Sequence, residues 1–269
     1  MFLLAAGLSV ILGLMDVVNL AHGSLYMLGA YVGLTVLGLT HNFWLALVVA
    51  PIVVGLIGLV MELTLLRRFY GKGPLRQVLL TFGLALVFVD LVRWTFGPSI
   101  QSIAPPPQLA GATSILGSQA SSYRLFVLGV AIVVGAVLLL LWRRTRVGTL
   151  VRAGVADKQM VSLLGVDLRL VFTLTFTFGA ALAGFSGVIA GPYLSVYPGM
   201  DENILILTFV VVVIGGMGSI EGAIAGAVLV GLANSFGTYY RQEFAVAIVF
   251  ALMAVVLIVR PRGLFGQER

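Results

Sequence analysis

The sequence predicts an all-α, polytopic membrane protein, and three observations lead to that fold class. Only 26 of the 269 residues are charged, 16 basic and 10 acidic, whereas a soluble domain of this length carries about 67. Apolar residues make up 60% of the chain, too many for a soluble protein of this size to shield from water. They form long uninterrupted runs, unlike the alternating strands of about ten residues in a membrane β-barrel. A soluble enzyme and a disordered chain are therefore excluded.

Nine apolar runs are candidates for membrane helices, each of which needs about 20 residues to cross a bilayer. The runs at 2–15 and 204–216 are too short to cross alone, and each is followed by a polar or glycine-rich break and another apolar run. We therefore predict about eight transmembrane helices (range seven to nine), with broken or re-entrant segments, in one domain over residues 1–269. The nine runs are 2–15, 24–39, 43–66, 78–92, 125–142, 170–190, 204–216, 222–236 and 244–259.

Basic residues are concentrated in alternate connecting segments, which predicts the orientation of the protein. Thirteen of the 16 Lys and Arg residues, Arg269 among them, lie in residues 67–76, 143–169 and 260–269. Cytoplasmic loops carry an excess of Lys and Arg, so these segments and the C-terminus are predicted to face the cytoplasm. Residues 94–123 are then the main external loop. Because orientation accounts for the net charge of +6, no nucleic-acid partner is predicted.

The sequence contains no signature of catalysis or metal binding. A Walker A loop is absent, because residues 71–73 lack both the earlier glycine and a following Ser or Thr. The chain has no cysteine and only two histidines, His22 and His41. We predict no enzymatic activity, no cofactor and no metal ion. Four acidic residues lie near the ends of apolar runs, where a carboxylate reaches the interface, so they support a proton relay only weakly: Asp16, Glu62, Asp90 and Glu221.

Two polar breaks, in residues 13–33 and 210–231, carry the strongest functional signal. Both contain Gly-Ser followed by an apolar residue, and both lead into a helix rich in small residues. Glycine-interrupted hydrophobic segments in the two halves of a transporter mark its substrate region, although two short matches also arise by chance in a glycine-rich chain. We expect the translocation path to be lined or shaped by Asn19, His22, Gly23, Ser24, Tyr26, Gly215, Gly216, Gly218 and Ser219.

Small residues recur at every fourth position in several of the apolar runs. Such stripes let helix backbones approach closely in lipid, and tight packing is the expected role of most of these glycines. Helix packing is predicted for Gly29, Gly33, Gly222 and Gly226.

The basic segment 143–169 is too polar to span the membrane. Apolar positions alternate with charged ones along it, which predicts a short amphipathic helix outside the bilayer. A helix resting on anionic lipid and a helix that docks a cytoplasmic partner both fit this pattern.

The ordered motifs resemble those of branched-chain amino-acid ABC importer permeases of the LivH type. Residues 19–31 are similar to the N-terminal signature, residues 215–223 to the C-terminal glycine motif, and residues 260–266 to the tail. The resemblance covers essentially the whole chain. It departs from the family at Asp16, where a small or apolar residue is expected, and in its short lead-in, from which we expect an incomplete first helix. The residues similar to the family's coupling segment are Arg146, Gly148, Arg152, Ala153, Asp157, Leu164 and Gly165.

This resemblance implies an ABC importer permease fold, a single coupling helix predicted over residues 150–166 and a set of partners. A second permease subunit, related or identical, completes the path; a periplasmic binding protein delivers substrate; and two cytoplasmic ABC ATPase subunits drive alternating access. The protein is then a multi-pass protein of a bacterial or archaeal cytoplasmic membrane that imports branched-chain or related amino acids. The alternatives are an ABC permease for urea or another small polar solute, an ion-coupled secondary transporter and a membrane scaffold.

Overall fold

The computed structural model describes residues 1–115 and 118–266, so Arg269 lies outside the described residues. Within them the chain forms eleven α-helices, three short 3-10 helices and one β-hairpin. The 3-10 helices are Leu66–Phe69, Pro107–Leu109 and Gln242–Phe244. The α-helices are α1 (Phe2–Met15), α2 (Ala21–Thr40), α3 (Phe43–Thr64), α4 (Pro74–Phe96), α5 (Ser122–Arg144), α6 (Arg146–Ala156), α7 (Lys158–Leu163), α8 (Leu168–Ala190), α9 (Met200–Gly215), α10 (Ile220–Tyr240) and α11 (Ala245–Val259).

Seven of the described helices are long and apolar enough to cross a membrane, which confirms the predicted polytopic helical membrane protein. The all-α prediction missed one feature. Strands β1 (Ala112–Ile115) and β2 (Ser118–Ser121) pair antiparallel inside the predicted external loop. Their sequence is short and rich in Ser and Thr, so it lacks the apolar alternation by which a strand is recognised.

Helix α8 lies at the centre of the bundle, and α1, α2 and α3 pack on it through small residues. A Cβ atom at Gly29 of α2 would overlap the backbone of Gly184 on α8, and one at Gly187 would overlap the backbone of α2 at Tyr26. A Cβ atom at Gly7 of α1 would lie 2.9 Å from the Gly179 carbonyl oxygen. Because lipid supplies no hydrophobic force between helices, close backbone approach of this kind stabilises the bundle.

The chain is broken between α1 and α2, as predicted for this region. Helix α1 ends at Asp16 in a left-handed conformation (φ 53°). The following residues double back beside α4, where Thr81 Oγ1 accepts a hydrogen bond from the Leu20 N–H (3.1 Å) and donates one to the Val18 carbonyl (3.2 Å). His22 Nε2 lies 3.1 Å from the Leu4 carbonyl oxygen. Helix α2 therefore begins beside the first turn of α1, well inside the bundle.

The second predicted break has a different geometry. Residues 216–219 form a tight turn between α9 and α10, which pack closely against each other at Gly215 and Gly222. Gly216 and Gly218 have positive φ angles of 98° and 82°, and Ser219 caps α10 by accepting a hydrogen bond from the Gly222 N–H (2.9 Å). The two Gly-Ser pairs are not equivalent, because Gly23 and Ser24 lie within α2 whereas the second pair lies in this turn.

One end of the bundle, here called the basic end, collects the basic connecting segments. Helices α1, α3, α5 and α9 finish there, and α4, α8 and α10 begin there. A Cβ atom at Gly13, near the end of α1, would overlap the backbone of Gly218, and the ion pair between Arg143 and Glu221 (3.2 Å) joins the end of α5 to the start of α10. The turn at residues 216–219 thus lies at the basic end, away from the start of α2.

The segment 143–169 also lies at the basic end, but it is not the single helix predicted over residues 150–166. Asp157 divides it into α6 and α7, with extended backbone angles (φ −154°, ψ 101°). Its carboxylate accepts a hydrogen bond from the Met160 N–H (3.0 Å) and so caps α7. An Asp at a helix N-cap is favoured because it satisfies a free backbone donor, and this capping preference overrides the apolar periodicity.

Candidate translocation site

A buried polar cluster occupies the start of α2, where the chain emerges from the first break. Asn19, His22 and Ser24 are fully buried. The Ser24 hydroxyl donates a hydrogen bond of 2.6 Å to Oδ2 of Asp201, which is also buried, in the first turn of α9. A Cβ atom at Gly23 would lie 2.7 Å from the Asp201 carbonyl oxygen, so only glycine allows α2 and α9 to approach this closely.

Several buried polar atoms of this cluster have no hydrogen-bond partner within the described part of the chain. A buried polar group without a partner costs about 1–3 kcal/mol, so several of them in one region indicate water, a ligand or a rearrangement that satisfies them. His22 and Tyr26, four residues apart in α2, lie on one face of this helix. The unpartnered atoms are both amide atoms of Asn19, His22 Nδ1, the Tyr26 hydroxyl oxygen and Asp201 Oδ1.

The structure brings together only part of the predicted path. His22, Gly23, Ser24 and Tyr26 lie in the first two turns of α2, and Asn19 lies two residues before this helix. Four residues predicted to share the path lie instead in or beside the turn at the basic end: Gly215, Gly216, Gly218 and Ser219.

Asp201 was not predicted as a site residue. The sequence placed the start of its helix at the apolar run beginning with Ile204, whereas α9 begins at Met200 and includes the two acidic residues before that run. A usable signal was present: acidic side chains are favoured in the first turn of a helix because the helix dipole is positive there.

The predicted coupling residues are spread over α6, α7 and the turn that follows. Gly148 is buried, because a Cβ atom there would overlap the carbonyl oxygens at the end of α5. Arg152 is half-buried, and its guanidinium donates a hydrogen bond to Thr149 Oγ1 (3.3 Å). Gly165 has a positive φ of 80° and open space around it. Arg146, Ala153, Asp157 and Leu164 are exposed.

The segment α6–α7 presents two different apolar surfaces. One surface, with Val151, Val155 and Val161, is buried against the bundle. The other is exposed: Leu163 is 82% exposed, Leu164 75% and Met160 56%. A contiguous exposed apolar patch on a segment outside the bundle indicates a protein or lipid contact.

A second buried polar network fixes the basic end between α3 and α8. Glu62 is fully buried and accepts hydrogen bonds of 2.8 Å from the Tyr70 hydroxyl and the Thr173 hydroxyl. Arg67 lies 3.6 Å from Glu62 Oε1. Burial raises the pKa of the Tyr70 hydroxyl, and its hydrogen bond to Glu62 raises it further, so the phenol remains a donor. The contacts of Glu62 therefore indicate that it holds α3 and α8 together.

No cluster of three or more His, Cys, Asp or Glu side chains suited to a metal occurs in residues 1–115 and 118–266.

Comparison with known proteins gives matches over nearly the whole chain. The model of the family described as "Branched-chain amino acid transport system / permease component" matches residues 1–257. The high-affinity branched-chain amino acid transport system permease protein BraD of Pseudomonas aeruginosa is 29% identical over 98% of this chain and 91% of its own length. Its counterpart LivH of Escherichia coli K12 is 28% identical with coverage of 98% and 91%. LivM of the same strain is 28% identical over 99% of this chain and 68% of its own length. No solved structure gives a significant match.

Proposed function

This chain belongs to the family of branched-chain amino acid transport permeases, and from that premise we propose how its parts work. The protein is a permease subunit of an ABC importer for branched-chain amino acids. We propose that the chain acts as one transmembrane domain in a bacterial or archaeal cytoplasmic membrane. The similarity to both LivH and LivM supports pairing with a second, related permease subunit.

The basic end is proposed to face the cytoplasm and the opposite end the periplasm. The excess of Lys and Arg at the basic end supports this orientation. A periplasmic binding protein would then deliver substrate to the end that carries the β-hairpin, and two ATPase subunits would bind at the basic end. ATP hydrolysis belongs to those subunits in this scheme, in agreement with the absence of a Walker A motif.

The polar cluster at the start of α2 is the proposed part of the path within this chain. Its residues are buried and carry unpartnered polar atoms, which the opening of the path would expose to water or substrate. Irregular backbone at membrane depth is stable only where protein or a water-filled cavity satisfies it. Separation of α2 from α9 would break the Ser24–Asp201 hydrogen bond and expose Asn19 and His22.

We propose that the segment α6–α7 binds an ATPase subunit. The observation that supports this is the exposed apolar surface of α7 and of the turn after it. Removal of apolar area from Leu163 and Leu164 by Ala substitution should weaken binding, since burial of one Leu side chain is worth about 1.5–3 kcal/mol. A change of about 1.4 kcal/mol in the binding free energy changes the affinity about tenfold. We therefore expect the affinity for the ATPase to fall at least about tenfold.

The test is recovery of the ATPase subunits with the permease after detergent extraction. Leu39→Ala provides the matched control, because Leu39 is 79% exposed at the opposite end of the bundle. We expect the double variant Leu163→Ala, Leu164→Ala to lose the ATPase and the control to retain it. Equal recovery from both variants would contradict the docking proposal.

Substrate identity is tested by uptake into proteoliposomes that contain the assembled importer. We expect leucine, isoleucine and valine to compete with one another for uptake, whereas urea should leave leucine uptake unchanged. Competition by urea alone would assign the permease to a different substrate class.

A further inference from the structure

Helices α6 and α7 contact the chain at both breaks. Lys158 at the start of α7 donates a hydrogen bond to the Asp16 carboxylate, where α1 ends. A Cβ atom at Gly218, in the turn between α9 and α10, would lie 3.1 Å from Val155 Cγ1 of α6. One at Gly154 would lie 2.6 Å from Leu14 Cδ1 of α1. A movement of α6–α7 therefore acts on both breaks at once.

The two breaks are also joined to each other through α1. The Gly218 N–H donates to the carbonyl oxygen (3.1 Å) and to the hydroxyl (3.2 Å) of Ser9. The Ser9 hydroxyl in turn donates to the Ser219 carbonyl (3.3 Å). Helix α1, the turn at residues 216–219 and the segment α6–α7 thus form one connected unit at the basic end.

Asp16 lies at the point where this unit leads into the polar cluster. It has a left-handed backbone conformation that residues other than glycine rarely adopt. Only Val17 and Val18 lie between it and Asn19, and Thr81 holds this segment through its hydrogen bonds with Val18 and Leu20. A displacement of Asp16 would therefore be passed along a short segment, held by Thr81, to the start of α2.

We propose that the Lys158–Asp16 ion pair transmits movement of the coupling segment to the first break, which makes Asp16 a positioning residue for transport. This inference rests on the proposed docking of the ATPase at α6–α7. Both side chains are partly exposed, 32% and 50%, and ion pairs of this kind contribute little to stability. The contacts of Gly154 and Val155 are apolar and without direction, whereas the ion pair fixes the position of α7 relative to the end of α1.

The experiment compares transport with ATP hydrolysis in the complete importer in proteoliposomes, with leucine as the probe. The variants are Asp16→Asn, the charge exchange Asp16→Lys with Lys158→Asp, and the control Asp90→Asn. Asp90 is a suitable control because its ion pair with Arg93 lies within α4 and joins no two helices. We expect Asp16→Asn to assemble and to hydrolyse ATP, but to lower the leucine imported per ATP at least about fivefold, the low end of usual coupling strengths. The charge exchange should restore most of that ratio, and the control should leave it unchanged.

Two outcomes overturn the inference while the proposed function stands. One is an active importer in which Asp16→Asn imports as much leucine per ATP as the wild type. The other is a charge exchange that assembles and yet restores nothing. A wild-type complex without ATP-driven uptake would instead overturn the proposed function, and the inference would fall with it.

Discussion

Removal of the Ser24 hydroxyl tests whether the contact between α2 and α9 closes the path. Ser24→Ala deletes the 2.6 Å hydrogen bond to Asp201 Oδ2. Asp201 Oδ1 already lacks a hydrogen-bond partner, so the variant leaves both carboxylate oxygens without one. A buried hydrogen bond of this kind contributes about 1–3 kcal/mol. At 1.4 kcal/mol for each factor of ten, the population in which α2 and α9 are separated should rise by about fivefold to 100-fold.

The assay uses the absence of cysteine from the native chain. Asn19→Cys introduces one thiol at a position that is fully buried, so a small maleimide labels it only when the cluster opens. When opening is rare, the labelling rate is proportional to the open population, and Ser24→Ala should raise it by the factor above. Ser186→Ala is the control, since Ser186 is a buried serine on α8 outside the cluster. An equal labelling rate with and without Ser24→Ala would refute the closing role of this hydrogen bond.

Three further variants probe packing and coupling. Gly29→Leu should prevent the close approach of α2 and α8 and lower the temperature at which the detergent-extracted protein aggregates, whereas Gly38→Leu, with open space around Gly38, should not. Gly165→Ala should cost about 1–2 kcal/mol of local strain because of its positive φ and reduce binding-protein-stimulated ATP hydrolysis; unchanged stimulation would contradict a coupling role. Thr173→Val should remove a donor from buried Glu62 and destabilise the protein by about 1–3 kcal/mol, measured as faster thermal inactivation of uptake.

Composition and charge were sufficient to predict the membrane class, the approximate helix count and the location of the first break. These properties depend on the mean hydropathy of long segments, because a helix needs about 20 mostly apolar residues to cross a bilayer. The first break was visible because polar residues such as Asn19 and His22 interrupt an apolar run. Their burial and their missing partners were not visible, because both depend on which other helices pack around them.

The structure departs from what the sequence indicated where a local preference or a distant contact decides the geometry. Asp157 ends α6 by capping α7, so one amphipathic pattern became two helices. Gly216 and Gly218 adopt positive φ angles in a turn, and the sequence does not distinguish such a turn from an interruption at membrane depth. Asp201 acquires its place in the cluster through Ser24, a residue 177 positions away, and no periodicity reports a contact of that range.

The few charged residues of this chain hold its helices together as well as orient it in the membrane. Three of the four ion pairs among the described residues lie at the basic end: Arg67 with Glu62, Arg143 with Glu221, and Lys158 with Asp16. The last two each join helices that are distant in the sequence. Acidic residues contribute little to the orientation of a membrane protein, so orientation alone does not require these acidic partners. Two of these pairs instead hold helix ends beside the segment α6–α7: Arg143 at the end of α5 with Glu221 of α10, and Lys158 of α7 with Asp16 at the end of α1. In the proposed coupling mechanism α6 and α7 transmit force only if the helix ends that they contact are held, and these two ion pairs hold such ends.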